Sequence, residues 1–341
     1  MPNDSSMKKL LPPLIALCSL SVLSAQDSLN FAKIGEVKRM DERMDSLIPR
    51  NAEIEVLTSG FLWSEGPAWD KENNCLLFSD VHANRIYKWE EGVGKSVWME
   101  PSGYTGVAHH PRGMGSNGLI FDNEGRLLLC EHGDRRISML TEVGGKKTVV
   151  DEYRGKRFNS PNDLVVASNG DIYFTDPAYG MPQGFDDPNR DMDYCGVFLL
   201  RTTGEVVLVI DNLGAPNGIC LSPDEKTLYV ATNNFGWMGY MSYPVKEDGL
   251  LGTGKEFYDA TADSKKQPGG PDGIRCDTQG NLCATGPGGV YVISPEGEVL
   301  GKIETGERIA NCAFGNDGSV LYLTSDMYLC RIQTSVTGLG F

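Results

Sequence analysis

The chain is 341 residues long, and its 46 acidic against 31 basic side chains leave a formal net charge of −15. That balance excludes nucleic acid and anionic membrane surfaces as partners, since either needs a basic face to displace counterions. A cation or a neutral small molecule fits better.

At the N-terminus, Lys8 and Lys9 precede an apolar run from Leu10 to Leu23 that ends in Ser24–Ala25 before Gln26. This is the pattern of a secretory signal peptide, so residues 1–25 are expected to direct export to the periplasm or the exterior. The run is short for a bilayer span and is interrupted by Pro12 and Pro13. No later segment is apolar enough to span a membrane. Cys18 follows Leu17 rather than the small residue of a lipobox, which argues against a lipid anchor. Residues 26–50 read as an N-terminal extension, with a short amphipathic helix predicted over Val37 to Ile48. Residues 51–341 then read as one domain.

From there the chain is a succession of short strand runs such as LLFSD, RLLLC, DIYFTD, TLYVATN and VLYLTS, bounded by Asn, Asp, Gly and Pro turns. Aligning them exposes a module in which a polar residue and a small or turn residue open a strand. Its copies are EGPAWD, NGLIFD, NDLVVA, NGICLS, DGIRCD and NCAFGN, beginning at Glu65, Asn117, Asn162, Asn217, Asp272 and Asn311. The intervals of 52, 45, 55, 55 and 39 residues suit a four-stranded propeller blade with variable loops. The expected fold is therefore all-β, a six-bladed β-propeller, which closes a ring without exposed sheet edges. Too little chain follows the last copy to finish its blade, so a strand near Glu53 to Val56 is expected to complete it.

In a propeller the innermost strand of each blade runs along the central channel, so six oxygen-bearing first residues at one phase converge on one axis. Carboxylate and amide oxygens without thiol or imidazole suit a hard divalent cation, Ca²⁺ first, with Mg²⁺, Mn²⁺ and Zn²⁺ as further candidates. Singly, each Asn-Gly or Asp-Gly pair is an ordinary turn former. Six at one phase, with Glu65 among them, point to a metal site. Eight cysteines besides Cys18 would permit disulfides in an oxidising compartment, but most sit inside apolar strand runs, where buried free thiols are expected.

The stretches SEGPAW, FSDVHANRIYKW, CEHGDRR, SPNDLVV, SNGDIYFTDPAYG, APNGICLSPDEKTLYV and PDGIRCDTQGNL resemble the gluconolactonase and senescence-marker-protein (regucalcin) family, and within it the bacterial gluconolactonase branch. The resemblance runs from about Met44 to the C-terminus. It implies a six-bladed propeller that hydrolyses a sugar-acid lactone, with one divalent cation on Glu65, Asn162, Asn217 and Asp272. Asn117 and Asn311 share the phase and are expected to touch water or substrate. Some animal members carry an arginine where this chain has Ser160; Arg157 lies near enough in sequence to stand in for it.

Asp272 is the first candidate for the general base, with Glu65 as metal ligand and the exchange of these roles left open. Substrate contacts are expected from His132 and Arg135 in CEHGDRR and from Asp176 and Tyr179 in TDPAYG. The plainer reading of His132 is a packed loop histidine, and of Asp176 an Asx turn before Pro177. His109 and His110 read as part of a surface loop, and Trp63, Trp69, Trp89 and Trp98 as blade packing. Hydrolysis of another ester class such as phosphotriesters, and non-catalytic binding of a sugar acid, are the competing functions. A closed propeller is compatible with a monomer or a small homo-oligomer.

Overall fold

The computed structural model describes residues 31–110, 113–234 and 236–341. The signal-peptide reading of residues 1–25, with Cys18, lies outside them. Among the described residues no helix is long and apolar enough to cross a membrane.

Six antiparallel sheets follow one another along the chain as six blades. The innermost strands are Ser64–Asp70, Ser116–Phe121, Leu164–Val166, Pro216–Leu221, Ile274–Cys276 and Asn311–Gly315. Each therefore begins within two residues of the first residue of a sequence module. Apolar side chains on both faces of the blades build six core layers, one between each pair of neighbours around the ring. The layer between blades one and two holds Leu77, Leu119 and Leu129, and that between blades six and one holds Phe78, Trp89 and Tyr322. Trp69 stacks on Tyr322 and Trp98 packs on the first of these layers, so both belong to blade packing as expected. All eight cysteines of the described chain are buried free thiols.

Ring closure falls to the N-terminal segment. Ile54–Ser59 pairs antiparallel with Tyr328–Gln333 and supplies the fourth strand of blade six, as the short C-terminal remainder requires. Two earlier strands extend the clasp. Ala32–Ile34 adds a fifth strand to blade six, and Glu36–Arg39 adds a fifth to blade five. The chain steps between the two blades at Gly35, which has φ +66° and no room for a side chain, since a Cβ there would lie 1.8 Å from the Glu304 carbonyl oxygen.

The helix predicted over Val37 to Ile48 is corrected accordingly: only Met44–Leu47 is helical. Val37 instead pairs with Ile303 across an open sheet edge. Edge pairing satisfies backbone groups that a marginal short helix cannot hold by local propensity alone.

Candidate active site

The ladder between the first and second strands is interrupted where the ring residues stand. In blades one, two and four the register shifts between Glu65 and Ala68, between Ser116 and Leu119, and between Pro216 and Ile219. An irregularity of this kind re-aims a side chain out of the sheet's alternation. The glycine that follows the ring residue has a second cause besides turn formation. A Cβ on Gly218 would lie 2.1 Å from the Asp272 carbonyl oxygen, and one on Gly118 would lie 2.6 Å from that of Asn162. Neither glycine has a positive φ. Neighbouring inner strands simply approach too closely around the axis for a side chain, and the Gly118 N–H donates across to the Asn162 carbonyl at 2.7 Å. Hydroxyls tie further neighbours, with Ser79 donating to the Asn117 carbonyl and Thr175 to that of Asn217.

Five of the six ring residues, Glu65, Asn117, Asn162, Asn217 and Asp272, line one cavity of about 270 Å³ at this end of the channel. The sixth, Asn311, does not line it; its Oδ1 accepts from the Cys312 N–H at 2.9 Å. Around this floor stands a wall made by residues that end or follow the second strands of blades one to four: His82, His132, Tyr179 and Asn233. Trp63 also lines the cavity, which corrects its assignment to blade packing.

Two of the expected substrate contacts stand elsewhere. Arg135 points away from the cavity and donates to the carbonyls of Phe158 and Asn189 and to Asp191 at 2.6 to 3.3 Å, fastening two loops together. Asp176 is fully buried, and its two oxygens accept the backbone N–H groups of Asn159 and Ser160, each at 2.8 Å. It thereby fixes the segment that delivers Asn162. Asp80 holds Leu62 and Trp63 in the same way, two residues ahead of Glu65. The Asx turn expected at Asp176 is replaced by this longer-range grip. Removing the Asp176 carboxylate (Asp176→Ala) strands two buried donors, so the variant should lose about 2–5 kcal/mol of stability in urea denaturation. A pure substrate contact would instead raise KM and leave the unfolding midpoint alone.

Arg157 does not stand in for an arginine at Ser160. It is exposed and donates to the Asp134 carbonyl, while the Ser160 hydroxyl donates to the Pro177 carbonyl. His109 and His110 border a separate cavity with Tyr104 and Met114.

Electrostatics single out the two carboxyl groups of the floor. Burial pushes Glu65 up to about 7; the Gly66 N–H draws it partly back and the charge of Asp163 pushes it further up. Asp272 is pushed well above the ordinary range, first by burial and then by Glu65 and Asp163. Asp163 itself pairs with the Arg275 guanidinium at 3.2 Å, whereas among the described residues no lysine, arginine or histidine pairs with Glu65 or Asp272. Asp163 was not visible as a site residue in the sequence, although its module alone carries an acid where four others carry glycine.

The donor set fits a hard cation. Two carboxyl groups are held in one buried floor, and the amide oxygens of Asn117 and Asn217, which also line it, are buried with no hydrogen-bond partner. Such groups are stable in a buried place only when something positive or hydrogen-bearing meets them. Histidine, cysteine and carboxylate groups alone do not make a metal cluster among the described residues, because most of these ligand atoms are amide oxygens.

A sequence model described as the SMP-30/Gluconolactonase/LRE-like region matches residues 63–327. The chain belongs to the SMP-30/gluconolactonase/LRE-like family. Within that family it is 37% identical over 93% of its length to a gluconolactonase of Zymomonas mobilis, of which 91% is covered. It is also 27% identical to a pentonolactonase of Haloferax volcanii, over 76% of this chain and 80% of that one. The solved gluconolactonase of Xanthomonas campestris superposes with a TM-score of 0.79 at 29% identity, covering 89% of this chain and 97% of the other. Family membership carries the propeller fold and agrees with the blade count obtained from the modules.

Proposed function

We propose that this chain opens the ring of a sugar-acid lactone by hydrolysis, with Asp272 as general base and a divalent cation, Ca²⁺ first, on Glu65, Asn162, Asn217 and Asp272. The observation that carries this reading is the floor itself, where two buried carboxyl groups without a cationic partner and partnerless amide oxygens line one small cavity. Its lactonase relatives supply the reaction class.

A bound cation would polarise the lactone carbonyl and stabilise the oxyanion formed on it. The chain's own residues supply the rest. Asp272 accepts the proton of the attacking water while the water oxygen bonds to the carbonyl carbon. The ring C–O bond then breaks, and the proton passes to the departing ring oxygen, leaving an open hydroxy acid. Trp63 and Tyr179 line the cavity as aromatic side chains suited to the C–H side of a ring, and His132 and Asn233 line it as polar side chains suited to its hydroxyls. Buried Asp80 and Asp176 keep the floor in register. Export directed by residues 1–25 belongs to the same reading.

The direct test is hydrolysis of glucono-δ-lactone above its spontaneous rate, by chelator-treated protein and after adding back Ca²⁺, Mg²⁺, Mn²⁺ or Zn²⁺ in turn. Saturable, cation-restored turnover supports the proposal. Folded, cation-loaded protein that turns over no aldonolactone overturns it.

A further inference from the structure

His132 follows the second strand of blade two, Leu127–Glu131, and the residue is only 3% exposed. Nδ1 lies 3.1 Å from the Gly113 carbonyl oxygen. A carbonyl can only accept, so Nδ1 carries the ring proton and Nε2 is left with a lone pair. That Nε2 is buried and has no hydrogen-bond partner, on a residue that lines the cavity. Burial pushes the ring's pKa down to about 4, so the neutral form persists through the neutral range. Its position is fixed from the other side as well. A Cβ on Gly180 would lie 2.5 Å from Cβ and Cγ of His132, so the turn carrying Tyr179 closes directly onto the imidazole.

An acceptor held this rigidly, on the wall above the reactive floor, awaits a donor. The hydroxyls of a sugar-acid lactone are donors, and the ring and acyl oxygens are not. We propose that His132 Nε2 selects substrates by accepting a hydrogen bond from a lactone hydroxyl, and so makes the site specific for polyhydroxylated over unsubstituted lactones of the same ring size. This rests on the lactonase reading and adds to it the feature by which substrates are told apart. A site built around a buried hydrogen-bonding atom discriminates strongly against an analogue that lacks the matching group, because that atom is then left unpaired. A preference of about 100-fold or more in kcat/KM is expected.

The experiment compares glucono-δ-lactone with δ-valerolactone on the wild type, His132→Phe and His132→Gln, with thermal unfolding of each as the folding control. His132→Phe should cut the preference for the hydroxylated lactone by about tenfold or more, carried mainly by KM on that substrate. His132→Gln, which keeps an acceptor, should recover part of it. Equal losses on both lactones in a folded variant would make His132 part of the chemistry or the scaffold and overturn the proposal, as would an unchanged preference. Wild-type protein inert on both lactones and on every other aldonolactone would instead remove the lactonase reading, and this inference with it. Activity with an altered preference leaves that reading standing and tests His132 alone.

Discussion

Replacing Asp272 with asparagine should lower kcat on glucono-δ-lactone by about 10²–10⁴-fold, the usual contribution of a positioned general base, while the propeller stays folded. Asparagine keeps the shape and one oxygen of the side chain, and three of the other floor residues are already asparagines, so the geometry of the floor is preserved. The substitution removes the group that takes the proton. It also removes one of three neighbouring acids, for Asp272 is pushed up by the charges of Glu65 and Asp163 as well as by burial. The chelated variant should therefore melt at the same temperature as the chelated wild type or higher. That combination of lost turnover and retained or raised stability marks a side chain kept for function against the preference of the fold. A parallel fall in both would mean that Asp272 holds the blades together, and substantial remaining turnover would move the base to Glu65. A propeller that only binds sugar acids would show no turnover to lose in the first place.

The floor was legible in the sequence and much of the wall was not, for a physical reason. Floor residues open the inner strands, and the close approach of those strands around the axis forces glycine after most of them, so the module announces itself. Wall residues stand at the ends of the second strands or just beyond them, where the chemistry varies from His82 to His132, Tyr179 and Asn233. Their spacing is nevertheless regular, since each lies 15 to 17 residues after its blade's floor residue. Reading the modules one strand further would have picked out His82 and Asn233. Sixteen residues after Asp272 and Asn311 come Gly288 and Met327, and neither lines the cavity. Arg135 and Asp176 sit in motifs that look equally chemical, yet what they hold is backbone and, for Arg135, the Asp191 carboxylate as well. Only the placement of Phe158, Asn159 and Ser160 reveals it. Trp63 was misread for the complementary reason, since a tryptophan beside an inner strand is ordinarily core, and only the turn held by Asp80 brings it to the cavity. The N-terminal clasp was half legible. The missing strand of blade six could be deduced by counting, whereas the pairing of Glu36–Arg39 with blade five depends on an outer edge, Val299–Glu304, that lies far along the chain.

Removing the cation should change stability in a pH-dependent way whose sign follows from the same two carboxyl groups. In the folded chain Glu65 is raised from the usual 4.5 to about 7, and Asp272 is raised too, both chiefly by burial. The unfolded chain has ordinary values, so the cation-free fold binds more protons than the unfolded state across this window. Its stability from these groups is fully present below about 4.5 and is lost as pH rises through about 7. A divalent cation binds the deprotonated pair, displaces those protons and reverses the loss. The gap in Tm between Ca²⁺-saturated and EDTA-treated protein should therefore be small at about pH 5.5 and wider by roughly 5 °C or more at about pH 8. Every other titrating group contributes equally to both arms and cancels in the difference. A gap of constant size would place the cation away from Glu65 and Asp272, and no gap at either pH, with Mg²⁺, Mn²⁺ and Zn²⁺ equally silent, would remove the cation from the proposed mechanism and leave Asp272 to act on a carbonyl polarised by the floor amides alone.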